Sequence, residues 1–113
     1  MTRIDPLSTI LSPDLLAREV RLENYGSNAY AWTIDDGFAV VPAVGEASAI
    51  VLGGDFWVRE FSGALHMTRD NWFFEPSGDR VVDSRSAVVT ARRALTEASM
   101  QASDLLVELV CRL

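Results

Sequence analysis

The C-terminal stretch of the chain has the most regular pattern. Residues Ser84–Leu113 read SRSAVVTARRALTEASMQASDLLVELVCRL and contain no glycine or proline. Apolar or small residues recur there in alternating steps of three and four, at Val88, Ala91, Leu95, Ala98, Ala102, Leu105 and Leu109. This is the period of a helix rather than of a strand, so it predicts one long amphipathic helix. Because Ser99, Ser103 and Asp104 favour helix caps, the alternative is a break there with Ser103 capping a second helix.

Length and composition are those of one ordinary globular domain. The 113 residues are 49% hydrophobic and 23% charged, enough to build one core over residues 1–113. No apolar run approaches the roughly 20 residues of a membrane span, and the N-terminal segment does not resemble a signal peptide. The single cysteine, Cys111, suits a reducing compartment, so we expect a cytoplasmic protein. All ten basic residues are arginine, which indicates a GC-rich bacterial or phage genome.

The formal net charge of −6 is unevenly distributed along the chain. Residues 1–83 carry 13 acids and 6 arginines, whereas residues 84–113 carry 3 acids and 4 arginines. An acidic surface repels the phosphate backbone of nucleic acids and attracts basic proteins. We therefore expect a basic protein partner, and neither a nucleic-acid nor a membrane partner.

The N-terminal half begins with a helix signal. Ser12-Pro13-Asp14 supplies an N-cap serine, a proline at the first helical position and an acid in the first turn. The helix is expected to run to about Leu22, or to end sooner with a strand over Arg18–Glu23. A loop is expected at Asn24–Asn28, because these residues have turn chemistry.

Short alternating segments separated by turn residues predict an antiparallel meander. Strands are expected over 29–34, 38–43, 47–52, 56–61, 64–68, 72–75 and 80–83. The expected turns lie at Asp36-Gly37, Gly53-Gly54, Arg69-Asp70-Asn71 and Pro76–Asp79, with a bulge or bend at Ser62-Gly63. The predicted fold class is α+β: an antiparallel β-meander of five to seven strands, with a short N-terminal helix and one long C-terminal helix packed on one sheet face.

Both faces of this predicted sheet carry large apolar residues. If Phe56 points toward the helix, Trp57 and Phe61 point away, and Trp72-Phe73-Phe74 places aromatic rings on both faces. A helix covers only one face of an open antiparallel sheet. Either the sheet curls or the N-terminal segment covers the second face, or that face binds a partner or a second copy of the chain.

Several catalytic constellations are missing from the sequence. One histidine, His66, and one cysteine cannot form a Cys/His zinc site, and no phosphate-binding, dinucleotide-binding or nucleophile-elbow motif occurs. His66 is expected to be a solvated strand residue. The acids at the expected hairpin tips are typical turn residues, although they also have the chemistry of a divalent-cation site. We expect no catalytic residue, no metal and no cofactor.

These observations favour a non-enzymatic module that docks a basic protein and blocks it, as immunity proteins and phage inhibitors do. The expected partner-binding residues are Asp35, Asp36, Asp55, Trp57, Arg59, Phe61 and Trp72. One alternative is a dimeric acidic secretion-type chaperone. Another is a small-molecule-binding or enzymatic domain, with a pocket between sheet and long helix lined by Trp32, Trp57 or Trp72.

Overall fold

A computed structural model describes residues 6–22, 30–59, 62–63, 65–101 and 104–113. Within these residues a 3₁₀ turn, Pro6–Thr9, precedes three helices and five strands. The elements, in chain order, are α1 (Pro13–Ala17), β1 (Val20–Arg21), β2 (Tyr30–Thr33), α2 (Ile34–Glu46), β3 (Ile50–Arg59), β4 (Leu65–Phe73), α3 (Arg80–Gln101) and β5 (Leu105–Arg112). The predicted fold class is confirmed: an antiparallel five-stranded sheet, a short N-terminal helix and a long helix packed on one face.

The last strand lies at the centre of the sheet. The strand order is β1-β2-β5-β3-β4, and every neighbouring pair among the described strands is antiparallel. Chain-adjacent pairing, as in a meander, holds for β1 with β2 and for β3 with β4. Strand β5 separates these two pairs and is hydrogen-bonded to β2 on one side and to β3 on the other.

The main core lies between the sheet and the helices. Trp32, Phe56 and Val107 of the sheet meet one face of α2 and the small or apolar residues of α3, which are Ala87, Ala91, Leu95 and Ala98. Leu7 and Leu11 of the N-terminal segment join the same core, and Leu15 and Leu16 pack against it. The apolar side of α3 is therefore buried against the chain's own sheet.

The prediction of an unbroken helix to Leu113 is wrong. Helix α3 begins at Arg80, where a strand was expected, and ends at Gln101. In β5, Leu105 and Val107 face the helices, while Leu106 between them packs in a separate cluster on the other face. A central strand is apolar on both faces, so its continuous apolar run imitates the spacing of a helix.

The start of α3 is fixed by the turn that precedes it. Asp79 accepts a hydrogen bond from the backbone N–H of Val82 (3.1 Å), as an N-cap residue does. The buried carboxylate of Asp83 accepts bonds from the backbone N–H of Ser77 (3.0 Å), the Ser77 hydroxyl (2.7 Å) and the backbone N–H of Gly78 (3.0 Å). The predicted turn at 76–79 therefore leads into a helix, and the strand predicted over 80–83 is absent.

The hairpin predicted around Asp36-Gly37 is also wrong, because residues 34–46 form helix α2. Thr33 is its N-cap and accepts from the backbone N–H of Asp36 (3.2 Å), while Asp35 and Asp36 complement the helix dipole. Its buried residues are Ile34, Gly37, Val40, Val41 and Val44, which is a helical spacing. Pro42 lies inside this helix, where it cannot donate a backbone hydrogen bond.

Two further predicted turns lie inside continuous strands. Strand β3 runs through Gly53-Gly54, and β4 runs through residues 69–71. Asp55 pairs with Asn71 and Trp57 with Met67, so β4 holds two extra residues between these pairs and bulges there. The true connection between β3 and β4 contains Ser62-Gly63, where Gly63 has φ +88°. The bend predicted there is thus the end of a hairpin.

The N-terminal helix signal is confirmed. The Ser12 hydroxyl accepts from the backbone N–H of Leu15 (3.3 Å), and Pro13 is the first helical residue. The helix ends at Ala17 and strand β1 follows, so the shorter of the two predicted forms is the observed one. The loop predicted at Asn24–Asn28 lies outside the described residues.

Candidate functional site: the helix-free face of the sheet

The face of the sheet that points away from the helices has its own small apolar cluster. This cluster contains Leu22, Ala31, Trp57, Leu65 and Leu106, with Val20 packed against it. Among the described residues, all its members come from strands or from the residue that follows β1, and none comes from a helix. We call this side of the sheet the helix-free face.

Strand register arranges the residues of the helix-free face in three parallel rows across β4, β3 and β5. The first row is Phe73, Gly53 and Val110; the second is Asn71, Asp55 and Glu108; the third is Met67, Trp57 and Leu106. The second row continues to Ala31 on β2 and Val20 on β1. The site therefore consists of a central polar row between two apolar rows.

Part of this face is exposed apolar surface. Phe73 is 74% exposed, Met67 is 50% exposed and Val110 is 49% exposed. Gly53 contributes no side chain between Phe73 and Val110 in their row. In the third row Trp57 and Leu106 are buried. The exposed apolar residues thus flank the polar row, and one of them, Met67, lies next to the buried Trp57.

The polar row places two carboxylates opposite each other. Asp55 and Glu108 are direct cross-strand partners on β3 and β5. The Trp57 Nε1–H donates to Glu108 Oε1 at 3.0 Å. Partial burial raises the pKa of Glu108, the Trp57 hydrogen bond opposes that rise, and the neighbouring Asp55 charge adds to it. Among the described side chains, neither Asp55 nor Glu108 forms a salt bridge.

The structure separates the residues that the sequence predicted as partner contacts. Asp55 and Trp57 lie together on the helix-free face, and Arg59 follows them in β3, where it pairs with Leu65. Asp35 and Asp36 are in the first turn of α2, where Asp36 accepts from Arg18 at 3.1 Å. None of these three aspartates lies at a hairpin tip. Phe61 lies outside the described residues.

Trp72 lies on the opposite side of the sheet from Trp57. Its ring packs on Phe56 with centroids 5.6 Å apart, against the main core. A cavity of about 140 Å³ between β4 and α3 is lined partly by Trp72, whose buried Nε1 has no hydrogen-bond partner. Trp32 belongs to the main core and Trp57 to the cluster on the other face. Of the three tryptophans named for a pocket between sheet and long helix, Trp72 thus lines a cavity of about 140 Å³ there, while Trp57 lies on the other side of the sheet.

Sequence reasoning missed Glu108, Val110, Met67 and Phe73 as site residues. The first two were assigned to a helix, and the turn predicted at 69–71 separated the other two. The useful signal was the segment from Leu105 to Cys111, in which Leu106, Glu108 and Val110 alternate with four apolar residues. Read as a strand, that segment places Glu108 beside a neighbouring strand rather than on a helix surface.

Other features of the described part of the chain give weaker indications of a functional site. A shallow groove of about 470 Å³ lies between the end of α2 and the start of α3, lined by both apolar and charged residues. No group of three or more His, Cys, Asp or Glu residues is placed to hold a metal ion within the described ranges. None of the helices described is long and apolar enough to cross a membrane.

Comparison with known families decides what kind of protein carries this face. The model of the family described as Immunity protein 40 matches residues 21–111. The chain belongs to this family. The match to Immunity protein 40 extends from the end of β1 almost to the end of β5, so it includes all three rows of the helix-free face. No curated protein and no solved structure matches the chain.

Membership in an immunity-protein family supports the prediction of an inhibitor that acts by binding a protein toxin. It also supports the prediction that the inhibitor is not an enzyme.

Proposed function

We propose that this Immunity protein 40 family member binds a basic protein toxin directly and blocks it without catalysis. The proposal places the protein in the cytoplasm of the bacterium that produces the toxin, where binding would protect that cell. No cofactor takes part in this function. In this proposal the toxin is inhibited because the folded α+β domain occupies part of its surface.

The observation that carries the proposal is the family match over residues 21–111, because it includes nearly the whole described fold. The charge distribution supports a basic partner, since the acidic excess lies in residues 1–83, which contain four of the five described strands. Opposite charges speed association and exclude partners of the same sign.

The residues predicted from sequence remain proposals as partner contacts. Asp55 is supported by its place on the helix-free face, and Asp35 by its exposure at the start of α2. Trp57 is buried on the helix-free face and supports the proposal by holding Glu108. Asp36 is half-buried and already engaged by Arg18. In this proposal Trp72 does not touch the toxin; its ring packs against the main core and supports β4 from the helical side of the sheet. Arg59 and Phe61 remain in the proposed set because they follow Trp57 in the sequence.

Co-expression with a toxin tests the function most simply. Where a toxin domain is encoded beside this gene, that domain should stop growth when expressed alone, and growth should recover when this chain is expressed with it. An inactive form of the same toxin should form a 1:1 complex with the purified chain by size-exclusion chromatography and calorimetry. Growth arrest that persists despite abundant folded chain, with no complex, would refute the proposal.

A further inference from the structure

We propose that the toxin docks on the helix-free face, with a basic side chain between Asp55 and Glu108 and an apolar side chain against Phe73 and Val110. This inference rests on the proposed function, and it adds the surface, the orientation and the chemistry of the contact. The occupant is a protein segment that carries an arginine or lysine next to an apolar residue.

The exposed apolar residues give the first argument. Phe73, Met67 and Val110 are brought onto one face by register, in the rows on either side of the polar row. Single exposed apolar residues are normal on a protein surface, but a group that shares one face and borders a buried tryptophan is typical of a docking site. Aromatic and methionine side chains are also enriched at such sites.

Charge complementarity gives the second argument. Two carboxylates directly opposite each other on neighbouring strands repel, which destabilises the sheet. A guanidinium or ammonium group placed between them would remove the repulsion and gain charge-assisted hydrogen bonds. Among the described side chains the protein supplies no such group to Asp55 or Glu108. A basic residue of the partner fits this position because it supplies the missing charge.

One of the two carboxylates, that of Glu108, is also held in place before binding. Asp55 and Glu108 lie on β3 and β5, the central pair of strands, and the Trp57 indole N–H fixes one oxygen of Glu108 at 3.0 Å. A receptor whose side chains are already ordered loses less conformational entropy on binding. Glu108 is therefore a preformed acceptor within the polar row rather than part of a flexible charged surface.

The solvent side of helix α3, on the other side of the sheet, is a poor site for a basic partner. The solvent side of α3 carries exposed apolar residues as well, including Val89 and Met100. These are interspersed with Arg85, Arg92 and Arg93, which are exposed, against one exposed acid, Glu97. The local charge on that side is positive and repels a basic toxin. The sign of the charge thus favours the helix-free face over the solvent side of α3.

Matched variants on the two sides test the inference by calorimetry with the inactive toxin domain encoded beside this gene. On the helix-free face the variants are Phe73→Ser and the double variant Asp55→Asn/Glu108→Gln. On the helical side the control for Phe73→Ser is Met100→Ser, because Met100 is 76% exposed and Phe73 is 74% exposed. The control for the double acid variant is Glu46→Gln/Glu97→Gln, which likewise removes two negative charges, here from exposed residues.

The variants on the helix-free face and the controls should differ clearly in their affinity for the toxin. Phe73→Ser should raise the Kd about thirty-fold and the double acid variant about a hundred-fold, while both controls should stay within about two-fold of wild type. The salt dependence of the affinity should also become weaker in Asp55→Asn/Glu108→Gln, because fewer charges cross the interface. Circular dichroism and urea unfolding of each variant establish that the fold is intact.

Other outcomes overturn the inference in distinguishable ways. If wild type binds the toxin and the sheet variants bind equally well, the docking surface is wrong and the proposed function stands. If wild type neither binds nor protects, the proposed function itself fails. If ultracentrifugation shows a dimer that Phe73→Ser converts to monomer without loss of toxin binding, a second copy of this chain occupies the face instead.

Discussion

Replacement of Gly54 by alanine tests why two glycines stand in the middle of a central strand. A Cβ at residue 54 would overlap Cη2 of the Trp72 ring, would lie 2.5 Å from Cζ3 of that ring, and would lie 2.9 Å from the backbone oxygen of Glu108. Ordinary carbon–carbon contacts are about 3.5–4.0 Å, so the ring must move by about 1 Å. That shift disturbs the packing of Trp72 on Phe56.

The expected cost of Gly54→Ala follows from two opposing effects. Overpacking of this kind costs about 1–3 kcal/mol, whereas the lower entropy of the unfolded alanine chain returns about 0.4–1 kcal/mol. The variant should therefore unfold at lower urea concentration, with a free energy of unfolding reduced by about 1–2 kcal/mol. The denaturant dependence, m, should be unchanged because the surface exposed on unfolding is the same.

A double-mutant cycle with Trp72→Leu isolates the cause. Leucine removes both ring atoms, and no hydrogen bond is lost because the Trp72 Nε1 has no partner. Gly54→Ala should then cost at least about 1 kcal/mol less in the Trp72→Leu background, where only the 2.9 Å contact with the Glu108 backbone oxygen remains, and this difference is the coupling energy. The reasoning fails if the two changes are additive, or if Gly54→Ala alone stabilises the protein.

Three further predictions concern stability. Leu95→Ala should lower the free energy of unfolding by about 2–5 kcal/mol in urea titrations, because Leu95 of α3 is fully buried against α2 and β5. A decrease below about 1 kcal/mol would contradict this packing. Hydrogen bonds from the backbone N–H and hydroxyl of Ser77 lower the pKa of Asp83, so its ionised form stabilises the fold above the ordinary aspartate range and this contribution is lost as the pH falls. Asp83→Asn should consequently flatten the acid side of a plot of Tm against pH, and an unchanged acid side would refute the role of Asp83. Partial burial raises the pKa of Glu108, so the free energy of unfolding falls as the pH rises through that pKa. Glu108→Gln should therefore be more stable than wild type at neutral pH and equal to it in acid. A Glu108→Gln variant less stable than wild type at neutral pH would contradict the predicted direction of this effect.

The Glu108 prediction links stability to function. Glutamine keeps the oxygen that accepts from Trp57 but removes the charge that lies opposite Asp55. If Glu108→Gln is more stable and binds the toxin more weakly, the carboxylate is present for binding at a cost in stability. Such a trade-off is common where a surface must be complementary to a partner rather than to itself.

The parts of the fold that the sequence predicted correctly are those in which local chemistry has a single interpretation. Ser12-Pro13-Asp14 can begin a helix and little else. The run from Ser84 to Ser99 combines helix formers with one apolar stripe, and it forms α3. Strand patterns are grouped in the middle of the chain and a long helical pattern follows them. This order was sufficient to predict an α+β fold with helices on one face of the sheet.

The errors arose where tertiary contacts decide between two local interpretations. Gly53-Gly54 and Asp36-Gly37 both have hairpin chemistry. Gly54, however, makes room for the Trp72 ring, and Gly37 lies where α2 passes Val107 and Leu95 at close range. Neither contact is visible from neighbours in the sequence. The segment from Leu105 to Arg112 satisfied a helical spacing because a strand buried on both faces is almost continuously apolar.

Only part of the candidate site could be predicted from the sequence, and the reason is again a long-range contact. Two apolar faces on one sheet were evident from Phe56 and Trp57, and the acids of residues 1–83 were evident from the charge count. The polar row itself depends on β5 lying between β2 and β3, which brings Glu108 next to Asp55 from the far end of the chain. Strand order of this kind is a long-range property, so sequence periodicity could indicate that a surface existed but not which residues compose it.

The most direct test of the docking surface uses two methionines that report on opposite sides of the same molecule. Met67 lies on the helix-free face and is 50% exposed; Met100 lies on α3 and is 76% exposed. Their oxidation by hydrogen peroxide can be followed by mass spectrometry in the free chain and in its complex with the inactive toxin domain, without any substitution. Toxin binding should slow the oxidation of Met67 severalfold and leave the rate at Met100 unchanged. Protection of Met100 with undiminished oxidation of Met67 would place the toxin on the helical side and contradict the account.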